Sequence, residues 1–121
     1  GDNESALKCF TKILSTNPNE VQAWLSIGFV YQKMMKFKDA LKCYRKAHKI
    51  VGEKYHHKLY DGMASCLTKM SEFDQAVEIY KEIFQKEEGK KKWDAQRSLK
   101  FVNKLKRKKA TGTLNELKPA D

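Results

Sequence analysis

The chain has 121 residues, of which a third are charged and two-fifths hydrophobic; this suits one soluble helical domain with a modest core better than a disordered chain. No apolar run reaches about eighteen residues, and the opening Gly1–Ser5 is polar and acidic, so neither a membrane span nor a signal peptide is expected. The formal charge is +10, and residues 90–109 carry nearly all of the excess, with Asp94 as their only acidic residue.

The first predicted helix covers 2–16 and contains Ala6-Leu7-Lys8-Cys9-Phe10. Asn17-Pro18 is a plausible stop. A second helix follows over 20–34, where Trp24, Ile27, Gly28 and Tyr31 recur at i, i+3, i+4 and i+7, one face of a helix. Asn19 stands three residues before Gln22, the spacing of a capping box. The third helix, 37–50, repeats the first: Ala40-Leu41-Lys42-Cys43-Tyr44 lies 34 residues after Ala6-Leu7-Lys8-Cys9-Phe10. Gly52 marks its end.

A fourth helix is expected over 54–70 and a fifth over 72–87. Ala76 lies 36 residues after Ala40, so two extra residues fall near Lys54–His56. Ser71 and Asp74 have capping-box spacing. Small residues Gly28, Ala40, Ala64 and Ala76 allow close helix approach, while Tyr31, Tyr44 and Tyr80 fill wider gaps.

A period near 34 with W-x2-I-G-x2-Y at 24–31 and A-x3-Y at 40–44 resembles the tetratricopeptide repeat, a helix–turn–helix unit. The resemblance covers residues 1–89: a half repeat at 1–20, a full repeat at 21–54 and a looser one at 57–90. In the last, Tyr60, Met63, Ala64 and Leu67 replace the signature residues. It implies an all-α solenoid fragment, and because the chain opens on the second helix of a repeat, a longer array is expected. The unpaired first helix invites self-association.

Arrays of this family bind proteins or peptides in the groove lined by the first helix of each repeat. In this chain that implies Gln22, Leu25, Ser26 and Phe29 from one repeat and Lys58 and Asp61 from the next. Leu25 and Phe29 are four apart and form a neighbouring apolar pair; they either meet a partner or pack on adjacent helices. A subset of the family clamps the terminal carboxylate of chaperones with Lys, Asn and Arg. Lys58 fits the Lys, but Ser26 stands in place of Asn and Gly62 in place of Arg, so that ligand is not expected.

No catalytic motif, metal set or cofactor loop occurs. His56 and His57 are adjacent, point about 100° apart on a helix and lack a third ligand. Glu87-Glu88 reads as solvated charge at a helix end. The odd count of cysteines, Cys9, Cys43 and Cys66, gives no disulfide framework; three buried reduced thiols indicate an intracellular chain, cytoplasmic or nuclear.

The sixth helix is expected over 91–109. Ala95, Leu99, Phe101, Val102 and Leu105 project onto one arc and Arg97, Lys100, Lys104, Arg107 and Lys108 onto the other, an amphipathic helix that caps the last repeat. Its cations could also contact phosphates, an RNA-binding alternative in which an exposed Trp93 would stack on bases. Trp93 otherwise folds back as a staple on the third repeat. "KLKRKK" at 104–109 also has the composition of a nuclear address. Residues 110–121 read as a flexible tail.

Overall fold

The computed structural model describes residues 2–112. Among these, six helices follow one another: α1 (Asp2–Thr16), α2 (Val21–Lys33), α3 (Phe37–Val51), α4 (His57–Lys69), α5 (Phe73–Lys86) and α6 (Lys90–Ala110). The architecture is the all-α helical repeat that the periodicity predicts. α2 packs on α3 and α4 on α5, and the two pairs join through α3–α4 and α2–α4 contacts; α1 lies on α2, and α6 closes the stack on α5. Of the expected tail, Ala110 ends α6 and residues 111–112 form a turn; residues 113–121 lie outside the described residues.

The two helix pairs turn in the same way. The Lys36 amide donates to the Tyr31 carbonyl (2.9 Å) and the Met35 amide to that of Gln32 (2.9 Å); 36 residues on, Glu72 donates to Leu67 (2.8 Å) and Ser71 to Thr68 (3.1 Å). This is the Schellman arrangement, which consumes the last free carbonyls of a helix. It requires a left-handed residue, and Met35 (φ 60°) and Ser71 (φ 62°) occupy that position where glycine is usual. The expected capping boxes are absent. Glu20 and Glu72 are the N-cap residues of α2 and α5, and neither makes a side-chain cap. Asn17 instead accepts the Asn19 amide in the preceding turn (3.2 Å). Gly52, with φ 68°, ends α3 as expected.

The fourth helix begins later than its pattern suggested. His56 is extended and caps it, its Nδ1 accepting from the Leu59 amide (3.4 Å), so residues 54–56 remain outside α4. The loop is anchored through Tyr55, whose hydroxyl donates to Glu87 Oε2 (2.9 Å) and whose ring meets Tyr60 edge-on at 4.9 Å. His57 Nδ1 lies 3.3 Å from the same carboxylate oxygen. Glu87 is therefore half-buried and engaged, not the solvated charge its sequence position suggested.

The core runs continuously from Leu25 to Leu105. Its centre is Tyr44, which stands between α2 and α4. A Cβ on Gly28 would come within 2.7 Å of the Tyr44 ring, and one on Gly62 within 2.6 Å, so both glycines are required by the approach of that ring. Tyr44 Oη donates to Gln32 Oε1, and Gln32 Nε2 donates to Ser65 Oγ (3.4 Å). One side chain of α3 thus ties α2 to α4. Burial pushes the Tyr44 phenol well above its ordinary range.

Cys43 and Cys66 are buried, and burial pushes both thiols up to about 11, with Asp39 adding to the effect at Cys43. Cys9, expected to be buried with them, is exposed on α1, a helix none of whose residues is fully buried. A thiol-reactive disulfide at neutral pH should therefore label one cysteine quickly in the native chain and three in denaturant. Two fast thiols in the native state would contradict the burial of Cys43 or Cys66.

Candidate partner groove

The first helix of each pair, α2 and α4, lines an open groove of about 1040 Å³, with α1 and α6 contributing at its margins. All six residues expected there meet on it: Gln22, Leu25, Ser26 and Phe29 from α2, Lys58 and Asp61 from α4. Their exposures differ sharply. Phe29 retains 58% of its surface, and Lys58, Asp61 and Gln22 are also exposed. Leu25 retains 5% and belongs to the core, so of the two alternatives for the pair Leu25 takes the packed one while Phe29 stays open. The reason is that α2 touches three helices, α1, α3 and α4. Its buried arc is therefore wider than the Trp24–Tyr31 stripe, and Leu25 forms the floor beneath Phe29. Phe29 has one internal neighbour of note, Lys33, whose ammonium lies 5.5 Å from the ring centre.

Five more groove residues escaped the sequence reading. Tyr44 contributes from below, Phe10 from α1, and His56, His57 and Lys91 at the far end. Lys91, expected on the capping helix, reaches the groove from the start of α6. Gly62 also lines this wall, as packing space for Tyr44. The wall is mixed in sign, with Lys58 and Lys91 against Asp61. Among the described residues no group of three or more His, Cys, Asp or Glu side chains gathers as metal ligands do.

The residues of the basic segment divide by face. α6 runs antiparallel to α5: Lys92 lies 4.4 Å over the Phe84 ring at one end, while at the other Lys106 pairs with Asp74 (2.5 Å) and Lys109 donates to the Ser71 carbonyl (3.2 Å). Ala95, Val102 and Leu105 are buried as expected. Phe101 is not. It keeps 54% of its surface, because its place at the rim of the apolar arc carries it past the edge of α5. Trp93 does not fold back as a staple: α6 begins at Lys90, three residues earlier, and Trp93 projects outward with 56% of its surface exposed. Arg97, Lys100, Lys104 and Arg107 are exposed, and Lys108 is half-buried. Arg97 pairs with Asp94 at 3.2 Å. Residues 104–109, which have the composition of a nuclear address, are helical throughout.

Residues 21–51 match the family model of the tetratricopeptide repeat. That segment is similar to a tetratricopeptide repeat. It comprises α2, the Schellman turn and α3, the part of the chain where the signature residues are most complete. The repeat points to a protein–protein interaction scaffold in general terms. A search of the curated proteins finds no match. No helix among the described residues is long and apolar enough to cross a membrane.

Proposed function

We propose that the tetratricopeptide-like groove captures a short helix or extended peptide from a partner protein, without catalysis and without a cofactor. The observation that carries this reading is Phe29. A phenylalanine on the groove wall with more than half its surface open, over a buried Leu25 floor, costs solvation and contributes little to the core. An apolar partner side chain would close over it. Gln22, Ser26, Lys58 and Asp61 would supply orientation through hydrogen bonds and charge at the rim, where such groups tune specificity more than affinity. A preformed helical wall loses little entropy on binding, which favours capture by a rigid stack. The buried thiols fit an intracellular setting, cytoplasmic or nuclear.

The test is affinity capture with wild-type and Phe29→Asp baits, followed by titration of the recovered partner peptide against both. Phe29 is exposed, so the variant should keep the wild-type circular dichroism. A central aromatic anchor is worth about 2 kcal/mol or more, so the variant should lose at least roughly 30-fold in affinity. Equal affinity for both baits would remove the groove from the binding site.

A further inference from the structure

We infer that the outer face of α6 is a second binding surface, independent of the groove, and that it takes single-stranded RNA. Trp93, Arg97, Lys100, Phe101 and Lys104 stand at i, i+4, i+7, i+8 and i+11, one continuous helix face, and all five are exposed. Docking of α6 on α5 uses the opposite side, with Lys92, Lys106 and Lys109 also engaged. The cap therefore explains the buried residues and the flanking cations but not two large aromatics held in water. Lys100 and Lys104 have no carboxylate partner among the described residues.

The pattern selects the ligand. Cations interleaved with aromatics match a chain of phosphates with accessible bases: lysines and arginine contact the backbone, and the rings stack on bases. Trp93 and Phe101 are eight residues apart, about 12 Å along the helix, so one strand running along α6 can reach both. A duplex hides its base faces and leaves the rings without a partner. A lipid surface would require a contiguous apolar face, and the apolar stripe of α6 is spent on α5. RNA is the nucleic acid that presents unpaired bases in loops and single strands as a matter of course.

The experiment is fluorescence anisotropy with the full chain and a labelled single-stranded RNA of about 20 nucleotides, beside its duplex, the DNA strand of the same sequence, and anionic phosphatidylserine vesicles. The single-stranded RNA should bind most tightly. Its affinity should fall with salt at a log–log slope of about 2 for three phosphate contacts. Trp93→Ala and Phe101→Ala should each weaken binding roughly tenfold, whereas Trp93→Phe should keep most of the affinity while abolishing the quench of that tryptophan. Phe29→Asp should bind RNA like the wild type. All these positions are exposed, so circular dichroism should not change. Binding that survives Trp93→Ala with Phe101→Ala would be plain polyanion attraction and would overturn the inference. So would equal or tighter binding of the duplex, the DNA strand or the vesicles.

Discussion

Tyr44→Ala should destabilise the chain by about 3–5 kcal/mol, the range for truncating a large buried aromatic. Tyr44 is buried between Gly28 and Gly62, so neither neighbouring helix has a Cβ there that could move in to fill the space. The loss is a large share of the roughly 5–15 kcal/mol that holds a domain of this size together. In thermal unfolding it corresponds to a fall of roughly 12–20 °C. Tyr44→Phe separates packing from hydrogen bonding, since it keeps the ring and removes only the bond to Gln32; about 1 kcal/mol is expected. The position has a further consequence because the architecture is a stack of repeats. Stability in such stacks is the sum of repeat terms and interface terms. Tyr44 belongs to the interface between the α2–α3 and α4–α5 pairs, so its truncation should also broaden the denaturant transition. A loss below about 1 kcal/mol with an unchanged transition would mean that the two pairs are held together elsewhere.

The same contact shows what the residues could and could not say in advance. Gly28 and Tyr44 belong to the repeat signature, which marked Gly28 as a point of close helix approach and Tyr44 as a filler of a wider gap, without pairing the two. The groove residues followed from the resemblance, which assigns the first helix of each repeat to the groove. What stayed open or escaped was set by long-range packing. Leu25 is buried because α2 meets α4 as well as α1 and α3, and a helical wheel of α2 contains no knowledge of α4. The turns at Met35 and Ser71 escaped because their left-handed residues are not glycine, and only the backbone bonds identify them. The engagement of Glu87 by Tyr55 and His57 joins residues some 30 positions apart, beyond the reach of any local pattern. Phe101 escaped for a subtler reason. Amphipathic projection assumes that every apolar residue seeks the core, and on α6 the arc that α5 can cover is narrower than the arc of apolar residues.

That narrower arc makes Val102 the residue on which the docking of α6 can be tested. It lies at the middle of the buried stripe with 1% of its surface exposed, between Ala95 and Leu105. Val102→Asp should cost about 3–5 kcal/mol if the helix stays docked, because the carboxylate would be buried with no partner to compensate it. Undocking avoids that penalty, so the expected result is an α6 released from α5 while α2–α4 stay folded. Release should expose the faces of Tyr80 and Ile83, which belong to the same core cluster. Hydrogen exchange should then show protection lost across α6 and reduced in α5, and trypsin should cut rapidly among the lysines and arginines of 90–109. Lys104→Glu on the outer face of the same helix reverses a charge without touching the stripe, and should leave both readouts at wild-type values. If Val102→Asp leaves α5 as protected as in the wild type, α6 is an appendage and the last repeat is stable without its cap. If α5 loosens, the basic helix completes the fold first, and any ligand of its outer face binds a surface that exists only because the inner face is docked.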